Sequence, residues 1–270
     1  MFSPYYAWAR RRGAADPHAY CAVNVLLHGP ARRWTMTERG ARAVSRDASM
    51  LAIGRSRLAW DGAALHVRLD ECCAPLPRRV RGSLLLRPDA IETGVHRLDP
   101  AGRHRWHPIA PCARIEVAMD MPALAWTGDA YCDSNFGAAP LERDFASWSW
   151  SRAPGPDGTT ILYDVALRDG PSRSLTLRYA RQGGWRDAEM PAPVALPASR
   201  WGVPRRTRAR PGAAPVLHAT ILDAPFYARS ILAAPGAGGA GGIMHESLSL
   251  DRFRRPWVQA MLPFRMPRRA

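Results

Sequence analysis

Short apolar runs that alternate with polar residues and stop at Asp-Gly or Asp-Pro turns recur along most of this chain. That rhythm constrains its fold more than any other feature. Leu58 to Trp60, then Asp61-Gly62, then Leu65-His66-Val67-Arg68-Leu69 reads as a hairpin, because Asp-Gly supplies the positive φ angles of a tight turn. Comparable pairs run from His96 to Trp106 around Asp99-Pro100-Ala101-Gly102, and from Ile161 to Tyr179 around Asp169-Gly170-Pro171. Single strands are expected at Ala22 to Leu27, Arg114 to Met119, Val216 to Leu222 and Met244 to Leu250. Strands this short and frequent, few helical periods and 25 prolines predict an all-β sandwich or barrel. One helix is expected, through Tyr5 to Arg12, with Ser3 as its cap, Pro4 at its first position and Gly13 at its end. Pro154 to Gly158, Pro191 to Pro197 and the glycine-rich Pro235 to Gly242 read as loops.

The chain has 270 residues, 47% of them hydrophobic, enough to fill one large core or two small ones. Its net charge of +15 favours anionic partners. All 38 basic residues are arginine, however, beside abundant Ala, Gly and Pro, which is the mark of a GC-rich genome and weakens the charge as evidence. The arginines are scattered rather than gathered on one motif with stacking aromatics, so nucleic acid is not the expected partner. Scattered charge suits a lipid surface better. The N-terminus reaches Arg10-Arg11-Arg12 only after an apolar start, the reverse of a signal peptide, and no run approaches about 18 apolar residues. A soluble or peripheral protein is expected. Five cysteines without a C-x-x-C pair fit a reducing compartment.

Several motifs fail on context. Gly236-Ala237-Gly238-Gly239-Ala240-Gly241 matches a dinucleotide-binding turn by letter, but a strand-like segment follows where a helix is needed. His104, His107 and Cys112, even with Cys72-Cys73, do not have the spacing that closes a tetrahedral zinc site. There is no G-x-S-x-G elbow, and a chain without lysine has no P-loop. No metal or cofactor is expected.

The richest stretch runs from Trp126 to Gly137. Tyr131 and Asp133 are two apart, so on a strand they share a face, and His104 and Trp106 do so in the preceding hairpin. Acid, phenol, imidazole and indole can thus converge inside one β-domain. The plainer alternative is a structural carboxylate capping a turn beside core aromatics, and on the residues alone both stay open.

The chain resembles the carotenoid 1,2-hydratases of purple bacteria, which add water at the end of an acyclic carotene on the way to spheroidene- and spirilloxanthin-type pigments. The resemblance rests on Phe2-Ser3-Pro4-Tyr5-Tyr6-Ala7-Trp8, Met36-Thr37-Glu38-Arg39-Gly40, Ala74-Pro75-Leu76-Pro77-Arg78-Arg79 and Gly102-Arg103-His104-Arg105-Trp106. It continues through Tyr131 to Gly137, Pro225-Phe226-Tyr227-Ala228-Arg229-Ser230, His245 to Phe253 and Pro256 to Pro267. It implies an all-β fold of two lipocalin-like domains, set at 1–143 and 144–270. It also implies a longer segment ahead of Phe2, so the first domain is expected to lack its opening strands and to show an unpaired edge.

The resemblance further implies a cofactor-free hydro-lyase whose acid is Asp133, supported by Tyr131, His104 and Trp106. The implied partners are water and an acyclic carotenoid such as neurosporene or lycopene, with peripheral contact to the cytoplasmic side of the photosynthetic membrane. An aspartate, ordinarily ionised at neutral pH, must be kept protonated by apolar walls. Its conjugate base is expected to take a hydrogen bond from His104 or Tyr131, while aromatic faces stabilise the tertiary cation that water captures. Two other classes remain: a carotenoid-binding lipocalin without turnover, and a related lyase acting on another prenyl chain.

Overall fold

The structure is a computed structural model that describes residues 2–186, 188–235 and 242–269. Nearly all of its regular structure is antiparallel sheet. Helix α1 (Pro4–Arg10) forms as its sequence predicts, the Ser3 hydroxyl accepting from the Tyr6 amide at 2.9 Å, though it stops two residues short of Arg12.

In chain order the strands are β1 (Cys21–Leu27), β2 (Arg33–Arg39), β3 (Val44–Arg46), β4 (Met50–Ile53), β5 (Ser56–Trp60), β6 (Leu65–Cys72) and β7 (Arg79–Pro88). The short β8 (His96–Arg97) precedes two long strands, β9 (His104–Met121) and β10 (Ala123–Gly137). After helix α2 (Leu141–Asp144) come β11 (Phe145–Gly155), β12 (Gly158–Leu167), β13 (Arg173–Ala180), β14 (Gly184–Arg186), β15 (Ala192–Leu196) and β16 (Arg205–Ala209). The last are β17 (Val216–Ala224), β18 (Tyr227–Ala233), β19 (Ile243–Ser249) and β20 (Arg268–Arg269).

Two compact units result, and they interleave along the chain. One comprises Met1–Asp89, Ala113–Tyr131 and Gln259–Ala270, the other Ala90–Cys112 and Cys132–Val258. The boundary expected at 143/144 therefore falls inside the second unit.

In the first unit, apolar side chains of β1 (Val23, Val25, Leu27) pack on Leu69, Val80, Val117 and Met119 of β6, β7 and β9. Two sheets face each other there as a sandwich, the β1-β2-β20 sheet covering the longer one of order β10-β9-β7-β6-β5-β4-β3. A charged cluster is buried in it: Arg39 Nη2 donates to Glu71 Oε2 at 2.8 Å, and the Ser56 hydroxyl to Glu71 Oε1 at 2.6 Å.

The second unit is organised by a seven-stranded sheet of order β14-β13-β12-β11-β19-β18-β17. One face is covered by the β15-β16 ribbon, where Leu196 packs on Leu232 and Ile243. Among the described residues each sheet keeps two ends, so the sandwich rather than the closed barrel is what the alternating strands build.

The three predicted hairpins are present, pairing β5 with β6, β8 with β9 and β12 with β13. The Asp61-Gly62 turn differs in its chemistry from the tight turn expected. Only Gly62 has positive φ, and the Asp61 carboxylate accepts from the amides of Ala63 and Ala64, both at 2.8 Å, so the loop is an Asx turn extended to Ala64. The expected loop from Pro191 to Pro197 is instead mostly strand β15. Among the described residues it pairs with β16 alone, so it is an edge strand, where the missing amide of Pro193 is tolerated. The glycine segment 236–241 lies outside the described residues.

Candidate active site

Along β9 the burial alternates as a strand should: His104, Trp106 and Pro108 turn inward while Arg105 is exposed. Trp106 has no exposed surface. Its indole N–H donates to Asp133 Oδ2 at 2.7 Å, and Asp133 is half-buried on β10. Acid and indole, expected to converge, therefore touch directly.

The end of β10 is drawn against the start of β9 by the Ala138 amide, which donates to the Arg103 carbonyl at 2.9 Å. Gly137 permits that approach, since a Cβ there would lie 2.2 Å from the same carbonyl oxygen. A local glycine thus sets where Asp133 meets Trp106.

The imidazole has a different partner from the one expected. His104 Nε2 lies 2.7 Å from Asp144 Oδ2, at the end of α2, and the ring packs at 4.5 Å on Phe145. Arg103 Nη2 donates to the other Asp144 oxygen at 2.9 Å, and Asp99 accepts from the His104 amide at 2.7 Å. With its Nε2 on Asp144, His104 anchors the turn that begins β9. The hydrogen bond to Asp133 is expected from His104 or Tyr131; His104 Nε2 is directed at Asp144, and Trp106 donates to Asp133. Tyr131, two residues before Asp133 on β10, has the same strand parity and is half-buried.

Two further side chains belong to the Asp133 surroundings. Tyr163, on β12, is buried, its ring 5.3 Å from Trp106 and 6.0 Å from Trp148, and its hydroxyl donates to Asn135 Oδ1 at 3.2 Å. Burial, then the charges of Asp133 and Glu246, push its phenol well above the usual tyrosine range, so it stays protonated. Asn135 continues the parity of Tyr131 and Asp133. The alternation of Ile161, Tyr163 and Val165 marks one buried face of β12, but nothing local says that this face meets β9. The His96 ring lies tilted against Trp106, 5.4 Å between centroids; burial, then the charges of Arg173 and His107, lower its pKa and favour the neutral ring. Cys132 faces away by parity, and burial followed by the Asp133 charge raises its thiol, which does not favour a nucleophilic thiolate.

A cleft of about 1010 Å³ opens on the opposite face of the seven-stranded sheet, lined in part by Ser151, Leu162, Arg178, Thr207 and Ile243. Trp150 and Tyr163 alternate with Ser151 and Leu162 along β11 and β12, so the sheet itself stands between that cleft and Trp106.

A carboxyl group bonded by an indole, with the buried ring of Tyr163 beside that indole, is a candidate acid–base site on an all-β scaffold. The chain matches the family model for Carotenoid hydratase CrtC over residues 1–270 and belongs to that family, which places it among the hydro-lyases. An acyclic carotenoid 1,2-hydratase of Thiocapsa roseopersicina is 50% identical over 270 residues, covering 99% of this chain and 67% of that protein. The acyclic carotenoid 1,2-hydratase of Rubrivivax gelatinosus is 44% identical over 274 residues, with 100% and 68% covered. That of Cereibacter sphaeroides is 40% identical over 270 residues, with 100% and 95% covered.

Proposed function

We infer that this chain hydrates the terminal 1,2 double bond of an acyclic carotenoid such as neurosporene or lycopene, without a cofactor, giving a 1-hydroxy tertiary alcohol. The contact between Trp106 and Asp133 carries the reading. Asp133 Oδ2 accepts from the indole, and Oδ1 delivers the proton to the less substituted alkene carbon. The bond from Trp106 strengthens as the carboxylate forms, because a hydrogen bond to an ionised acceptor is worth about twice a neutral one.

Protonation leaves the positive charge on the dimethyl-bearing carbon. We assign its stabilisation to the aromatic rings grouped with Trp106, those of Tyr163 and Trp148, each worth up to ~2 kcal/mol once water is excluded. Tyr131 supports Asp133 from the same strand face, and His104 holds the start of β9 through Asp144. Water adds to the tertiary carbon and loses one proton.

Contact with a membrane surface fits an apolar substrate of this kind. No described helix is long and apolar enough to cross a bilayer. In the second unit Trp201 and Trp257 stack at 6.3 Å and are both more than 40% exposed, close in sequence to Arg200, Arg252, Arg254 and Arg255. Aromatic rings with flanking arginines suit the headgroup region, and we assign this patch to the cytoplasmic face of the photosynthetic membrane.

The test is Asp133→Asn assayed on lycopene in heavy water. The expected result is loss of the alcohol with retained pigment binding, while the wild-type product carries one deuterium on the less substituted carbon. An Asn variant that still hydrates lycopene at near the wild-type rate sinks the assignment.

A further inference from the structure

An ion pair stands on the aromatic face of the second unit's sheet. The register aligns Tyr163 with Trp150, Trp150 with Glu246 and Glu246 with Arg229, so these four side chains form one row across β12, β11, β19 and β18. Residues directly opposite across antiparallel strands share a face, and this is the face on which Tyr163 meets Trp106. Arg229 Nη2 donates to Glu246 Oε1, and Arg229 Nε donates to the Tyr227 hydroxyl at 3.0 Å. Although burial alone would lower it, the Glu246 carboxylate holds the Arg229 guanidinium more firmly protonated than usual. After burial, the charges of both Asp133 and Glu246 raise the Tyr163 phenol.

An ion pair placed among Trp148, Trp150 and Tyr163 is poor value for stability, since well-packed apolar residues of similar volume do as well or better. The Trp106–Asp133 contact accounts for protonation of the alkene, but the water that follows must be held and must give up a proton. Asp133, newly ionised on one side of the cation, is occupied with Trp106. Glu246 is a second carboxylate on the same face, paired with the Arg229 guanidinium.

We propose that Glu246, oriented by Arg229 and Tyr227, holds the attacking water and accepts its proton, so that acid and base are separate residues. The inference rests on the hydratase reading above. Asp133 gives its proton to the less substituted carbon, the π pair forming the new C–H bond. The water oxygen then forms the C–O bond at the tertiary carbon and passes one proton to the Glu246 carboxylate. Solvent exchange returns Glu246 to its anion and Asp133 to its acid, so the net change is alkene plus water to alcohol.

The experiment measures two outputs of the full chain on lycopene in heavy water: alcohol formed, and deuterium in recovered lycopene. Glu246→Gln is expected to lower alcohol at least 100-fold while recovered lycopene gains deuterium, because the cation forms and reverts. Glu246→Asp should restore part of the alcohol. The double variant Glu246→Gln with Arg229→Met, which leaves no unpaired cation, should show the same raised ratio of exchange to hydration. Retained hydration in folded Glu246→Gln overturns the proposal. So does an equal loss of exchange and hydration in that variant and the double variant. Hydration that persists in Asp133→Asn instead overturns the underlying reading of the acid.

Discussion

The indole of fully buried Trp106 donates to Asp133 Oδ2 at 2.7 Å, joining β9 to β10 at the point where both face Tyr163. Trp106→Phe keeps an aromatic ring against Tyr163 and removes only the N–H. A charge-assisted bond of about 1.5–3 kcal/mol is lost where carboxylate charge develops, which corresponds to roughly a 10- to 100-fold fall in kcat. KM should move little, because the bond matters most after proton transfer. Steady-state assays of Trp106→Phe against wild type read this split.

Gly137 lets the end of β10 approach the Arg103 carbonyl. Gly137→Ala places a methyl 2.2 Å from that oxygen, so backbone must move and Asp133 shifts with it. A destabilisation of about 1–3 kcal/mol is expected, with a loss of activity larger than that of Ala138→Gly. Denaturant unfolding and product assays on the two variants check it.

Stability should fall on the acid side of neutrality through His245. Burial, then the charge of Arg205, push this imidazole down to about 4, against about 6.5 for an unfolded histidine. The unfolded chain therefore binds the proton first, and folding loses stability as pH drops from about 6.5 to about 4, with no contribution from this group above 7. The full loss is about 3 kcal/mol. His96, also lowered, adds in the same direction. His245→Gln should remove most of this acid dependence from an unfolding series between pH 7 and 4, whereas an unchanged slope would assign it to other groups.

Trp201 and Trp257 are the stacked, exposed pair of the second unit. Replacing both by Ser should weaken binding to vesicles containing anionic lipid by roughly tenfold, about 1.4 kcal/mol for the pair. Hydration of detergent-solubilised lycopene should be unaffected. Co-sedimentation and a detergent assay separate the two effects.

What could be read from the sequence was local. Strand alternation and turn residues identified the all-β class, the three hairpins, helix α1 and the shared faces of His104 with Trp106 and Tyr131 with Asp133, because each depends on residues a few positions apart. The resemblance directed attention to Asp133, and the structure set Trp106 against it. Proline content misled over Pro191 to Pro197, since only the position of β15 at a ribbon edge makes proline acceptable in a strand. Asp144 as the partner of His104, Tyr163 and Asn135 beside Asp133, and the row from Tyr163 to Arg229 had no signal in sequence spacing. They are fixed by which sheet faces pack together and by register across strands up to a hundred residues apart, and those follow from burial of the whole apolar surface rather than from any one segment.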